Sequence, residues 1–141
     1  MRVGTPGPGT MRRMQVLIVA AREETRDLMR LTVRSIERRV GEPVEFLDAD
    51  NGERGRHVAM RHRPAAIVCD EFASREGAFS LARTLRGDPD PYTGTIVILL
   101  DRKHDEWLAR WSGADAWFVK PVDPFELADR LLELVTEKES A

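Results

Sequence analysis

Five short apolar runs punctuate this chain, and a polar stretch of helical character follows each one. The runs are Met14–Val19 (MQVLIV), Val44–Ala49 (VEFLDA), Ala65–Cys69 (AAIVC), Thr95–Leu100 (TIVILL) and Ala116–Val119 (AWFV). A strand covered on one face alternates apolar with polar residues, whereas a strand covered on both faces reads as a continuous apolar run. Continuous runs separated by helices therefore predict a parallel sheet sandwiched between helical layers. Right-handed crossovers make an open, doubly wound α/β sheet the natural architecture.

The intervening segments carry helix signals. Arg22–Arg39 is polar with Leu28, Leu31, Val33 and Ile36 near helical spacing, and Gly41 and Pro43 end it. Asp50-Asn51-Gly52 is a turn, and Glu53–His62 is a helix stopped before Pro64. Gly77–Arg86 has Phe79, Leu81, Ala82 and Leu85 as its apolar set. Asp105–Ser112 is a short helix stopped at Gly113. Pro124 opens the last helix, which carries Phe125, Leu127, Leu131, Leu134 and Val135. A chain of 141 residues fits one domain. Its expected span is 14–138, with a disordered Gly/Pro-rich tail over 1–13 and a short C-terminal tail over 139–141.

In doubly wound sheets the functional crevice lies at the carboxyl ends of the strands. Those ends are Ala20-Ala21, Asp70, Leu100-Asp101 and Lys120-Pro121. Asp70 follows a buried strand directly. Alone, such a carboxylate more often caps a loop or the next helix. Lys120 would project its ammonium over the same rim, and the two could form an ion pair; a lone Lys there is more often a surface side chain lying over strand edges.

Together these residues resemble the receiver domain of two-component response regulators. An apolar strand ends in Asp70, the turn Gly113-Ala114-Asp115 precedes a strand, and that strand ends in Val119-Lys120-Pro121; Asn51-Gly52 after the second strand also matches. The resemblance spans about residues 14–138 and implies a flavodoxin-like five-stranded sheet. It also implies a mechanism. Acidic residues after the first strand, with the aspartate after the third, bind Mg²⁺. That aspartate accepts a phosphoryl group from a histidine kinase or a small donor. A Ser or Thr ending the fourth strand and the Lys ending the fifth contact the phosphoryl oxygens, and an aromatic residue on the fifth strand reports the state. Asp70 matches the acceptor, Lys120 the lysine and Trp117 the switch aromatic.

Two positions depart from the pattern. The acidic pair is replaced by Ala20 and Ala21, and the hydroxyl residue by Leu100. Methyl groups cannot ligate a hard cation that demands oxygen, and Leu cannot donate to a phosphoryl oxygen. The expectation is a degenerate receiver, not an enzyme, with Asp70 retained and Mg²⁺-dependent phosphorylation impaired. The competing readings are a working phosphoacceptor with an unusual metal site, an enzyme using Asp70 and Lys120 as acid and base, and a small-ligand sensor with an apolar pocket at Ala20, Ala21 and Leu100. Glu23, Glu24 and Asp101 lie near the same rim and are read as solvated or facing helix dipoles rather than as replacement ligands.

Trp107 and Trp111 are four apart and share a helix face. Trp107 is expected in the core, and Trp111 exposed as an interface anchor. The resemblance implies partner binding or a dimer through the face made by the fourth helix, fifth strand and fifth helix, where Trp111 and Trp117 would sit. His57, His62 and His104 lack ligand spacing and are expected at the surface; Cys69 is expected buried and inert. The composition is 42% apolar and 33% charged with a net charge of −2, which argues against nucleic acid or an anionic membrane as partner. No apolar run approaches the roughly 18 residues of a membrane span, and no apolar segment follows Arg2 as in a secretory signal. A single cysteine is compatible with a cytoplasmic setting.

Overall fold

A computed structural model describes residues 14–71 and 77–140; the tail expected over 1–13 lies outside them. The elements are β1 (Met14–Val19), α1 (Glu23–Arg34), α2 (Glu37–Val40), β2 (Val44–Ala49), α3 (Gly52–His62), β3 (Ala66–Asp70), α4 (Ala78–Gly87), β4 (Thr95–Leu100), α5 (Glu106–Ser112), β5 (Ala116–Val119) and α6 (Pro124–Ser140), with one 3₁₀ turn at Lys103–Asp105. All five strands are parallel, in the order β2-β1-β3-β4-β5.

Strand periodicity sorts the core into two layers. Val16, Ile18, Ala66, Val68, Val97 and Leu99 pack against α1 and α6 on one face. Leu17, Val19, Ile67, Cys69, Ile98 and Leu100 pack against α3, α4 and α5 on the other. The inner strands β1, β3 and β4 are covered on both faces, which is why their sequences do not alternate.

Three sequence expectations need correction. The first helix is not continuous over Arg22–Arg39. Ser35 N–H and Ile36 N–H donate to the carbonyls three residues back, and Ser35 Oγ donates to Thr32 O at 2.9 Å. Such local bonding competes with the α-helical ladder and splits the segment into α1 and α2, the second closed by Gly41 at φ +71°. The buried face of α1 is Met29 and Val33, while Leu28 and Leu31 are exposed, as is Phe125 at the start of α6. The last helix runs through Ser140, past the expected boundary at Lys138. Elsewhere local chemistry acts as read. Asn51 Oδ1 caps α3 by accepting from Arg54 N–H at 2.9 Å, and Gly113 at φ +91° ends α5. No helix among the described residues is long and apolar enough to cross a membrane.

Candidate functional site

The carboxyl ends of β3, β4 and β5 lie side by side, so Asp70, Asp101 and Lys120 share one rim although they are far apart in sequence. Asp70 is only 7% exposed, and its Oδ1 is ion-paired with the Lys120 ammonium. The same ammonium donates to Asp101 Oδ1 at 3.0 Å. Burial pulls the Lys120 pKa down, but the hydrogen bonds and charges of Asp70 and Asp101 outweigh it and leave the group above an ordinary amine. Lys120 N–H also donates to Leu100 O at 2.9 Å, which fixes where β5 ends, and the Lys120–Pro121 peptide bond is cis.

Two further carboxyls border this group. Glu71 N–H donates to Leu99 O at 2.9 Å, and Glu71 Oε1 accepts from Asp101 N–H at 3.2 Å. Burial raises the Glu71 pKa to about 7; the Asp101 N–H opposes this, while a hydrogen bond and charge from Asp105 and the charge of Asp101 reinforce it. Asp105 is itself buried, within 3.6 Å of Arg102 and 3.5 Å of His104. Asp101 Oδ2 is buried with no hydrogen-bond donor among the described residues.

The corner beyond β1 is different. Ala20 is fully buried in the α1/α6 layer, and Ala21 is exposed. The Ala20 carbonyl accepts from Arg26 Nη1 at 2.7 Å. A cavity of about 230 Å³ nearby is lined by Glu23, Arg26, Arg30, Asp48, Asp50 and Arg54. Arg30 is ion-paired with Asp27 and Asp48. Glu24 is bound by Arg22 at 3.0 Å.

These residues do not fit the divalent cation that the fold family implies. Two methyl groups stand at the first-strand positions, a guanidinium takes the Ala20 carbonyl, and the Asp70 oxygen already meets an ammonium. Mg²⁺ needs several well-placed oxygen ligands, and no group of three His, Cys, Asp or Glu side chains among the described residues is arranged to hold a metal ion.

Leu100 is fully buried in the α3–α5 layer, so its side chain does not face the rim. Ala20 and Leu100 lie in opposite core layers and form no shared apolar pocket; the sensor reading loses its site. The surface residues need one correction. Trp107 is not in the core but 61% exposed, because the short α5 buries only Ala109 and Ser112. Trp111 is 50% exposed, as expected. Its ring lies 4.7 Å below the Arg83 guanidinium of α4, so it turns toward α4. Trp117 is half-buried, packs on the α3–α5 layer and lies 5.4 Å under Arg110. The three histidines are exposed and Cys69 is buried, with burial raising its thiol pKa strongly. The sequence reading placed Asp101 near the rim but missed its bond to Lys120. The signal was present: Asp101 follows a buried strand just as Asp70 does.

No family model matches the chain. An uncharacterized response regulatory protein of Mycobacterium tuberculosis is 35% identical over 68 residues, 48% of this chain. The chain spans about half the length of that relative. An uncharacterized 14.6 kDa protein of Leptolyngbya boryana is 28% identical over 120 residues, covering 84% of this chain and 87% of the relative. Among solved structures, the receiver domain of a Pseudomonas aeruginosa sensor histidine kinase, with magnesium coordinated in its active-site cleft, matches at TM-score 0.76 and 18% identity. The match covers 89% of this chain and 99% of that one. The receiver domain of a Francisella response regulator matches at TM-score 0.74 and 20% identity, with the same coverage. The chain therefore has the flavodoxin-like fold seen in response-regulator receiver domains.

Proposed function

We propose that this chain is a signalling module of two-component systems in which Asp70 keeps the phosphoacceptor position but Mg²⁺-dependent phosphorylation is impaired. The observation that carries this reading is the charge pattern of the rim. Asp70 and Lys120 meet at the strand ends, while the corner that would supply metal ligands holds Ala20 and Ala21. Phosphoryl transfer depends on positioning and on neutralising charge at the transferred group. With no carboxylate pair and no hydroxyl at Leu100, transfer to Asp70 is slowed by orders of magnitude. The module then works by protein–protein contact with a histidine kinase or another signalling protein, and not as an enzyme. The exposed Trp107 and Trp111 supply contact area of the kind that anchors interfaces.

The test is direct. The protein is incubated with Mg²⁺ and an acyl phosphate, and the intact mass is measured beside Asp70→Ala. The expected outcome is no stoichiometric adduct in either. A full phosphoryl adduct in wild type that Asp70→Ala abolishes overturns the impairment.

A further inference from the structure

Lys120 has two carboxylate partners, and only one is the acceptor-position aspartate. The other is Asp101, the residue directly after β4, whose Oδ1 lies 3.0 Å from the ammonium. Asp101 is fixed from its backbone side, where its N–H donates to Glu71 Oε1. Glu71 is in turn tied to the β4 carbonyl of Leu99. The second carboxylate oxygen of Asp101 is buried without a donor, so Lys120 is the only charge-bearing donor bonded to this group among the described residues. A partly buried carboxylate stripped of its counterion is costly, which makes the contact persistent.

We infer that Asp101 is a positioning residue for Lys120: a resident anion that keeps the ammonium seated over Asp70 whether or not Asp70 is modified. This rests on the reading of the rim given above. An ammonium has three N–H donors, and here two directions are already taken by Asp70 and Asp101. An arriving phosphoryl oxygen would meet an ammonium that Asp101 already holds in place, with one N–H left to offer it, instead of recruiting a free lysine. The end of β5 and the turn at Pro121 are therefore set in advance by the chain's own carboxylate.

The test follows acylation of Lys120 by an amine reagent at fixed pH, mapped by peptide mass, with Lys103 and Lys138 as internal references. Wild type, Asp70→Asn, Asp101→Asn, the double variant and Asp70→Asn/Asp101→Glu are compared as full chains. Lys120 stays protected in wild type and in Asp70→Asn. In the double variant it is labelled about tenfold faster, the effect of one pKa unit on the reactive fraction. The Glu variant restores protection, which a purely structural role for Asp101 does not predict. If Asp70→Asn alone exposes Lys120 as fully as the double variant, the assignment fails. Should the double variant not fold, urea-unfolded wild type supplies the unprotected reference and the same comparison decides. A phosphoryl adduct on Asp70 overturns the impaired-receiver reading without touching Lys120 protection; exposure of Lys120 in Asp70→Asn overturns the role of Asp101 whatever the adduct assay gives.

Discussion

Replacing Arg86 with Met keeps the aliphatic stem and removes the guanidinium that knits the end of the sheet opposite the rim. Arg86 Nε donates to Gly113 O at 3.0 Å, Nη1 to Tyr92 O at 2.8 Å and Gly94 O at 2.9 Å, and Nη2 to Asp115 Oδ2 at 2.7 Å. Two acceptors have a second partner. Gly94 O also receives Lys138 at 3.0 Å; Asp115 Oδ2 also receives Ile96 N–H at 2.8 Å and faces Lys138 at 3.3 Å. The carbonyls of Gly113 and Tyr92 lose the guanidinium donor outright. Hydrogen bonds to charged groups contribute about 1.5–3 kcal/mol each. The Arg86 side chain is 22% exposed, so water recovers part of the loss. The expected cost is about 3 kcal/mol, a large share of a typical stability of about 5–15 kcal/mol. Urea unfolding followed by circular dichroism measures it, and the melting temperature falls by about 10 °C. Arg86→Lys recovers less than half, because one ammonium cannot reproduce a planar fork reaching four acceptors. Hydrogen exchange in β5 rises in both variants, since Asp115 precedes that strand. A loss below about 1 kcal/mol, or a Lys variant equal to wild type, refutes the reasoning.

Other outcomes follow from the rim. Glu71 has a folded-state pKa of about 7, above the ordinary 4.5; its contribution is complete below the lower value and lost as pH rises through the upper one. Wild-type stability therefore declines between about pH 5 and 7 more than that of Glu71→Gln, and parallel urea midpoints across that window would contradict this. Ala20→Asp places a carboxylate at a fully buried position and costs several kcal/mol, about 3 or more, whereas the exposed Ala21→Asp stays within about 0.5 kcal/mol; equal melting temperatures for the two would be inconsistent. Lys120→Met removes the one counterion that Asp70 and Asp101 have among the described residues and costs about 2 kcal/mol after allowing for its one-third exposure. Asp101→Asn leaves the Asp70 pair intact and costs less, so the reverse ranking in denaturant titrations would count against the shared-lysine geometry.

Much of the fold was legible because its signals are local. A strand covered on both faces must be apolar at every position, so β1, β3 and β4 announced themselves by continuity alone. Asp70 and Lys120 stood out because each ends such a strand, and ends of parallel strands converge on one rim. Helix faces were less legible. Leu28 and Leu31 share spacing with Val33 but not the direction of packing, which put Met29 inward and those two leucines in water. Trp107 followed the same logic on a helix too short to bury two faces.

The sequence by itself determined the doubly wound parallel architecture, the strand positions, the absence of carboxylates at Ala20 and Ala21 and the placement of Asp70 and Lys120 at strand ends, because each depends on residue type and short-range period. Only the tertiary structure decided that Lys120 is shared with Asp101, that Arg26 takes the Ala20 carbonyl, that Leu100 and Ala20 turn into opposite layers, and that Arg86 clamps the far end of β4 and β5. Those pairings depend on distances between segments many residues apart, and such distances are set by how helices dock on a twisted sheet rather than by any pattern along the chain.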